Sequence, residues 1–476
     1  MPATSWKPTA NRSESCTPPT DPSAVSRVDS VPPAQAERPS ATVRAARVVT
    51  KRFGMPGSVM QGGLGNRCTY DRGMPSQPPP GEAVPSDGSL PTAALAELPD
   101  RGFGVYLHVP FCASRCGYCD FNTYTSDELG PGADRSSYPA TVRAEIELAA
   151  RVLGPDVPPV STVFVGGGTP TLLPSATLVE MLAAIGDTFG LAPGAEVTTE
   201  ANPESVTPDS LAELAAGGFT RVSFGMQSAR SHVLRVLDRE HSPGRAVAAV
   251  AEARTAGFEQ VSLDLIHGTP GETLDDWRAS LEAAIGARPD HISAYSLIVE
   301  DGTRLGARVR RGELPMPDED EQADKYLLAE ELLTGAGYHA YEISNWATDA
   351  DTRCRHNLAY WQGGNWWGFG PGAHSHVGGV RWWNVRHPAR YAELLTAGGS
   401  PGEGRELLDD ETRRVERVLL ELRLVTGLSL AVLTASERAR VPDVARRGLV
   451  TVADDRLHLT LPGRLLADAI IRDLLD

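Results

Sequence analysis

The stretch 109-VPFCASRCGYCDFNTY-124 places Cys112, Cys116 and Cys119 four and three residues apart, directly after a predicted strand. Three thiolates can hold three irons of a [4Fe-4S] cubane and leave the fourth iron open. A structural zinc site is the alternative, but such sites normally have four Cys or His ligands, and no fourth ligand follows Cys119 nearby. The spacing therefore favours a cluster. Its open iron can bind the amino and carboxylate groups of S-adenosylmethionine (SAM), which the reduced cluster would cleave to a 5'-deoxyadenosyl radical.

Strands and helices alternate from Gly102 onward. The predicted strands are 103-FGVYLHV-109, 161-STVFVGG-167, 195-AEVTTEA-201, 220-TRVSFGM-226, 260-QVSLDLI-266 and 291-HISAYSL-297. Apolar residues recur at three and four positions in 138–153, 175–189, 208–216, 245–256 and 273–285, which predicts helices there. Such β/α units form a parallel sheet with right-handed crossovers. Six units instead of eight predict an α/β fold with a partial (β/α)6 barrel.

The sequence also predicts how the chain divides into domains. Residues 1–98 form a low-complexity extension for which we expect disorder, and 1–73 lie before Met74, an alternative translation start. The barrel is expected at 99–310, followed by a linking segment at 311–400. Residues 401–476 predict a smaller α+β, winged-helix-like domain, with a hairpin at 449-LVTVADDRLHLT-460 whose turn is Asp454-Asp455.

Composition narrows the class of partner and the compartment. The formal net charge of -16 excludes nucleic acid as the main partner, because phosphate backbones require a basic surface. Six cysteines in 476 residues, three of them within eight positions, indicate metal chemistry in a reducing compartment instead of a disulfide framework. No apolar run is long enough to span a membrane or to act as a secretory signal. We therefore expect a cytoplasmic protein.

Polar residues at the ends of the other predicted strands indicate a ligand site. Gly166 to Gly168, with Thr169, end the second strand, where glycines allow close approach of a ligand and can present amide donors to it. The later strands end in Glu200 and Asn202, Gln227, Asp264, and Tyr295 with Ser296. The carboxyl ends of barrel strands share one mouth, so these groups are expected to converge on a polar ligand.

Several motifs make the chain similar to a known family. They are YLHVPFCxxxCxYCDFN, VFVGGGTPT, EANPE, SFGMQS, DLIHGTPGET, SAYSL and HNLAYW. From about residue 100 to the end, the chain resembles the oxygen-independent coproporphyrinogen III oxidase family of radical SAM proteins, and within it the HemW-type heme chaperone branch. The resemblance implies that Cys112, Cys116 and Cys119 ligate the cluster. The SAM contacts that it implies are Tyr106, Tyr118, Gly167, Gly168, Thr169, Glu200, Gln227, Arg239, Asp264 and Ser296.

Two departures from the oxidases favour the chaperone branch. The oxidases continue the cluster motif as CxxxCxxCxC, whereas this chain has Phe121 where they have the additional cysteine. They also carry a structured N-terminal segment over the substrate mouth, and here that part is low in complexity.

The run 356-HNLAYW-361 matches the HNxxYW pattern that the resemblance associates with heme binding, through His356, Asn357, Tyr360 and Trp361. His356 can supply an axial imidazole, and Trp366 and Trp367 can cover a porphyrin face. Cys354, His374 and His376 are rival iron ligands. The alternative is that these aromatic residues only seal the barrel to the next domain.

Three functions remain open from sequence. The first is a heme chaperone that passes heme to an unknown acceptor protein, carries a [4Fe-4S] cluster and SAM, and makes transient contact with membrane respiratory proteins. The second is anaerobic decarboxylation of coproporphyrinogen III. The third is a non-catalytic interaction module stabilised by zinc. Whether SAM is turned over is left open.

Overall fold

The computed structural model describes residues 81–129, 134–239, 242 and 244–475; the alternative start at Met74 lies outside these residues. The strands of the described chain, numbered in chain order, are β1 Phe103–Val109, β2 Val160–Gly167, β3 Leu191–Ala201, β4 Arg221–Gln227, β5 Gln260–His267, β6 His291–Ser296, β7 His339–Ala340, β8 Asn345–Ala347, β9 Asn365–Phe369, β10 His374–Val377, β11 Val380–Asn384, β12 Gly402–Leu407, β13 Leu428–Ser429, β14 Val450–Ala453 and β15 Arg456–Leu459.

The α-helices of the same residues are α1 Thr92–Ala96, α2 Leu98–Arg101, α3 Tyr138–Leu153, α4 Ser175–Phe189, α5 Pro208–Ala216, α6 Ser231–Val236, α7 Arg245–Ala256, α8 Leu274–Ala287, α9 Arg304–Arg310, α10 Glu319–Gly335, α11 Arg355–Trp361, α12 Pro388–Thr396, α13 Asp410–Glu421, α14 Ala435–Arg446, α15 Leu461–Arg464 and α16 Ala467–Leu475. Single 3-10 turns lie at Pro170–Leu172, Pro203–Ser205 and Leu430–Val432.

The partial barrel predicted from sequence is confirmed. Strands β1 to β6 are neighbours in chain order, and each pairs in parallel with the next. Side chains such as Val105, Val163 and Leu263 are completely or almost completely buried in the core of the sheet. The helices between the strands follow the apolar spacing seen in the sequence. Helix α8 starts at a capping box, in which the side chains of Thr273 and Asp276 each accept a hydrogen bond from the other's backbone amide.

The sheet is wider than the sequence predicts. Its twelve strands run in the order β12-β11-β10-β9-β1-β2-β3-β4-β5-β6-β8-β7, so the linking segment adds strands to both edges. Strand β9 is parallel to β1, whereas β10, β11 and β12 continue the sheet in antiparallel fashion. All residues of β9 and β11 are buried. Their sequences, 365-NWWGF-369 and 380-VRWWN-384, are short aromatic runs, which periodicity alone does not identify as strands.

Residues 81–98 differ from the expected disorder. Glu82 pairs with Arg405 in an isolated bridge at the edge of β12, and α1 and α2 bury Ala94 and Leu98 in the main core. The carboxylate of Glu97 also accepts two hydrogen bonds from the guanidinium of Arg413 in α13. Two buried apolar side chains are enough to dock this short segment but too few to produce a visible periodicity.

The C-terminal part has its own core, as predicted. Helices α13 and α14 pack on a three-stranded antiparallel sheet in the order β13-β15-β14, and α16 packs on both helices. The core is formed by residues such as Val418, Leu457 and Ile470, all completely buried. Asp454 and Asp455 both have positive φ, of 50° and 55°, so they form the predicted tight turn between β14 and β15.

Candidate functional site

The cysteine loop follows β1 and is tied to two other parts of the barrel. The amide of Cys112 donates to the carbonyl of Tyr124 at 3.0 Å, which closes the loop on itself. The amide of Gly117 donates to the carbonyl of Leu237 at 2.9 Å, and the Gly117 carbonyl accepts from the amide of Leu305 at 2.8 Å. A Cβ at Gly117 would lie 2.6 Å from a carboxylate oxygen of Asp238, so a larger residue there would displace that side chain. The loop is therefore held in place by backbone bonds.

The thiols occupy an environment that disfavours uncompensated charge. Cys112 is buried, whereas Cys116 and Cys119 are half-buried. Burial raises the pKa of the Cys112 thiol, and it raises the pKa of Cys119 to about 12. Because metal ligation requires thiolates, positive charge must be supplied here. One source is Arg239, whose Nη1 donates to the sulfur of Cys116 at 3.5 Å.

Buried polar atoms beside the cysteines lack partners within the described chain. The Nε atoms of Arg115 and Arg239 are buried without a hydrogen bond. Such orphaned groups fit a bound polar ligand. No group of three or more Cys, His, Asp or Glu side chains in the described ranges converges closely enough to hold a single metal ion. The three thiols suit a cluster, in which each thiolate binds a different iron.

The glycine turn after β2 serves the cysteine loop. Gly168 donates its amide to the carbonyl of Val109 at 2.8 Å, and Thr169 donates to the carbonyl of Phe111 at 2.8 Å. The Gly167 amide donates to Glu200 Oε2 at 3.1 Å. The amides expected to face a ligand are thus bonded within the protein. Gly168 has no room for a side chain either, since a Cβ would lie 2.5 Å from the carbonyl oxygen of Phe111.

The acidic strand ends lie together under the cysteine loop. Burial and the nearby Asp264 raise the pKa of Glu200 to about 7. Burial also raises the pKa of Asp264, which accepts hydrogen bonds from the hydroxyl of Ser223 at 2.9 and 3.0 Å. Two buried carboxyls of like charge are costly without a positive partner. A cationic or donor-rich ligand between them would supply one.

The cationic and amide side chains face the same region. Arg239 Nη2 donates to the carbonyl of Gly225 at 3.2 Å. Gln227 has a φ of 60°, which re-aims the end of β4, and its side chain is almost buried. Burial is the main cause that raises the pKa of Tyr118, and charge interactions with Arg239, Asp264 and the cysteines also act on it. Ser296 ends β6 opposite His267 of β5.

His108 belongs to this site although it is not among the site residues predicted from sequence. The hydroxyl of Tyr106 lies 2.9 Å from His108 Nδ1, and His108 Nε2 lies 2.9 Å from the carbonyl oxygen of Asn122. Since a carbonyl only accepts, Nε2 carries the proton and Nδ1 accepts from Tyr106. The signal was the two-residue spacing of Tyr106 and His108, which puts both on one face of β1.

The HNxxYW segment forms helix α11, but its histidine is not free. His356 is buried, its Nδ1 lies 2.8 Å from Thr162 Oγ1, and its Nε2 lies 2.7 Å from the hydroxyl of Tyr360. Burial lowers the pKa of His356 to about 3, so the ring is neutral at pH 7. The ring also stacks on Phe164 at 5.3 Å. Asn357 and Trp361 are partly exposed. Heme ligation by His356 would require one of the two hydrogen bonds on its ring nitrogens to break.

Helix α11 and the cysteines lie at opposite ends of the barrel. The helix precedes β9, which runs parallel to β1, whereas the cysteine loop follows the other end of β1. The seven residues of β1 span about 23 Å at the usual rise per residue. Heme held at α11 would therefore not touch a cluster held by the cysteines.

A cavity of about 350 Å³ opens beside α11. Its walls come from the end of α11, strands β9 to β11, helix α2 and helix α13. Trp361, Trp366 and His376 line it together with charged side chains. The rival ligand His374 does not line this cavity, and Cys354 is buried with its sulfur 3.6 Å from Glu196 Oε1. Among the described residues, no helix is long and apolar enough to cross a membrane.

Comparisons with known proteins agree with this architecture. The family model of the Radical SAM superfamily matches residues 106–284. The chain is 55% identical over 381 residues to "Heme chaperone HemW" of Mycobacterium tuberculosis, covering 80% of this chain and 97% of that protein. It is 32% identical to "Heme chaperone HemW" of Bacillus subtilis, covering 77% and 97%. The structure of coproporphyrinogen III oxidase (HemN) from Escherichia coli, described as a radical SAM enzyme, aligns with a TM-score of 0.70 at 24% identity, covering 82% and 94%. That structural likeness shows the fold.

Proposed function

Because the chain belongs to the HemW family of heme chaperones, we propose that it binds heme and transfers it to an acceptor protein. The observation that carries this proposal is the 55% identity over 381 residues, which spans 97% of the relative's length. The match covers 80% of this chain, which is much more than the barrel alone.

The cofactors of this proposal are a [4Fe-4S] cluster and SAM. Cys112, Cys116 and Cys119 would hold the cluster, and the orphaned Nε of Arg239 and the acidic pair Glu200 and Asp264 would meet SAM. When bound, the reduced cluster supplies electrons and its open iron accepts SAM. The residues of this chain orient the ligand, balance its charge and shield it from water.

The SAM contacts that we propose come from the set predicted from sequence. Arg239 can pair with a carboxylate through its free Nε, and Glu200 and Asp264 can accept from an ammonium group or ribose hydroxyls. Tyr118, Gln227 and Ser296 would complete the mouth. For Gly167, Gly168 and Thr169 the proposed role is support of the cysteine loop, since their amides are bonded within the protein.

The residues proposed to form the heme region are those predicted from the HNxxYW motif, namely His356, Asn357, Tyr360 and Trp361. Trp361 lines the cavity beside α11, so it is placed to contact a porphyrin. Tyr360 holds His356 Nε2 by a 2.7 Å hydrogen bond and packs against Trp366 with ring centroids 4.5 Å apart. These two contacts make the helix a support for the cavity wall.

The experiment that tests this function is anaerobic titration of hemin into the purified full-length protein. We expect a Soret band that saturates at one heme per chain and moves to an apo-hemoprotein acceptor when the two are mixed. The matched control is apo-acceptor with free hemin at the same concentration. Absence of a saturable Soret band would reject the proposal.

Anaerobic decarboxylation of coproporphyrinogen III is the second candidate. Phe121 stands at the oxidases' additional cysteine and is 58% exposed, so no thiol is offered there. The reconstituted protein should give no protoporphyrinogen from SAM and coproporphyrinogen III. Product formation at a catalytic rate would establish the oxidase reaction instead.

The finer points on partners and location are also proposals. We place the protein in the cytoplasm, because a reducing compartment preserves three closely spaced thiols. Transient contact with membrane respiratory proteins is proposed as the route by which heme leaves. Co-purification of heme-loaded protein with such acceptors, compared with heme-free protein, tests both points.

A further inference from the structure

The cavity beside α11 has a composition suited to a heme. Its volume of about 350 Å³ lies within the range of about 300–1,000 Å³ that small-molecule sites occupy. Trp361 and Trp366 supply flat aromatic surfaces, and the indole of Trp366 lies 5.3 Å from the ring of His376. Planar aromatic ligands pack well on such side chains.

Charged side chains line much of the cavity. Three are acidic, Glu97, Asp410 and Glu416, and five are arginines, Arg101, Arg381, Arg413, Arg414 and Arg417. Four of these arginines are paired with carboxylates, among them Arg414 with Glu411 and Glu437, and Arg417 with Glu421. An anionic group of a ligand would therefore have to be met by the arginine that has no such pair.

Arg101 is the arginine best placed to receive a carboxylate. Arg413 is already paired with Glu97, and Arg381 with Glu406 and Glu416. Arg101 donates to the carbonyl of Gly363 at 3.2 Å, and no ion pair to a carboxylate is found for it within the described chain. Its guanidinium can therefore form a bidentate pair with a propionate.

His376 is the imidazole suited to bind iron. Its Nδ1 lies 2.8 Å from the carbonyl oxygen of Gly364, so Nδ1 carries the proton and Nε2 has the lone pair. Within the described ranges no hydrogen bond occupies Nε2. Donation of the second ring nitrogen to a carbonyl is the arrangement that orients histidine ligands of metals. His356, in contrast, has both ring nitrogens bonded.

We infer that heme binds in this cavity with His376 Nε2 as its iron ligand, Trp361 and Trp366 against the porphyrin and Arg101 at a propionate. This inference rests on the proposed function, because it assigns the site of the heme that the chaperone carries. His356 then stabilises the wall by fixing Tyr360, and does not bind the iron.

The test is hemin titration of four full-length proteins: wild type, His376→Ala, His356→Ala and His374→Ala. Affinity comes from the Soret titration, and the iron ligand comes from the electron paramagnetic resonance spectrum of the ferric protein. His376→Ala should lose at least tenfold in affinity together with the nitrogen-ligated spectrum, and added imidazole should restore that spectrum. His374→Ala, two residues away on β10, should stay within twofold of wild type.

A second variant tests the same cavity in case His376→Ala fails to fold. Leu420→Trp on α13 fills the cavity from its opposite wall and leaves His376 unchanged, so it should also weaken heme binding at least tenfold. Cluster loading of each variant reports whether the barrel is intact. The inference is overturned if His376→Ala and Leu420→Trp keep the wild-type affinity while His356→Ala loses the spectrum. Absence of heme binding in wild type would overturn the proposed function itself.

Discussion

Gly167 shows how one residue positions the cysteine loop. Its φ is 107°, and a Cβ there would lie 2.5 Å from His108 Nδ1 and 2.6 Å from Cε1. His108 in turn bonds to the carbonyl of Asn122, three residues after Cys119. A side chain at Gly167 would push the imidazole against the loop that carries the thiols.

We predict that Gly167→Ala destabilises the protein and lowers cluster loading. The clash should cost about 1–3 kcal/mol beyond the cost of positive φ alone. Gly190→Ala is the matched control, because Gly190 has a φ of 70° but a Cβ there would meet no atom within 4 Å. Urea unfolding and iron analysis after anaerobic reconstitution measure the effect. Equal losses in the two variants would contradict the steric explanation.

At the scale of elements, Glu145 of helix α3 joins the barrel to the strands beyond β1. It is completely buried and accepts hydrogen bonds from the Gly370 amide at 2.9 Å, from Asn384 Nδ2 at 2.8 Å and from the hydroxyl of Tyr391. Burial raises its pKa to about 7. One carboxyl therefore binds α3 to the end of β9, to β11 and to α12.

We predict that Glu145→Gln is destabilising although it preserves shape. An amide places N–H groups against the donors that Glu145 accepts from, which should cost about 1–3 kcal/mol. The exposed Glu147→Gln on the same helix is the control and should change the free energy of unfolding by less than about 0.5 kcal/mol. Urea unfolding at pH 5.5, below the raised pKa of Glu145, measures both, because at higher pH the cost of burying the ionised carboxylate would offset the loss. A Glu145→Gln variant as stable as the control would show that these bonds do not support the fold.

At the scale of the whole molecule, the cysteine loop and the cavity beside α11 are separated by the length of the barrel. The loop follows the carboxyl end of β1, and the cavity lies near the start of β9, which is parallel to β1. The distance of about 23 Å along β1 rules out direct contact between cofactors held at the two ends. A cluster bound at the cysteine loop should therefore have little direct effect on heme bound in the cavity beside α11.

We predict that Cys119→Ala abolishes cluster assembly but changes the heme Kd by less than threefold. The physical reason is that the residues lining the cavity lie at the opposite end of β1 from the cysteine loop. Iron and sulfide analysis measures the cluster, and hemin titration measures the heme. Wild-type protein before reconstitution is the control for an absent cluster with intact thiols. A tenfold loss of heme affinity in the variant alone would instead reveal coupling through the barrel.

The sequence by itself determined the parallel barrel and the cysteine loop. Strands β1 to β6 are short, mainly apolar runs that alternate with helices of regular apolar spacing, and the cysteine spacing needs no tertiary information to be read. The turn at Asp454 and Asp455 was also predictable from sequence, because these two adjacent residues alone form it, both with positive φ. Local patterns are enough where short apolar runs and amphipathic helices alternate repeatedly along the chain.

Only the tertiary structure decided the width of the sheet and the surroundings of the histidines. The aromatic strands β9 and β11 are buried on both faces, so their side-chain pattern has no period, and their place beside β1 depends on residues far away in the chain. The motif singled out His356, but the hydroxyl of Thr162, 194 positions away, occupies one of its ring nitrogens. Gly364 takes one nitrogen of His376, and within the described chain the other stays free. Hydrogen bonds between residues so far apart in the chain depend on tertiary packing, which a local sequence pattern does not predict.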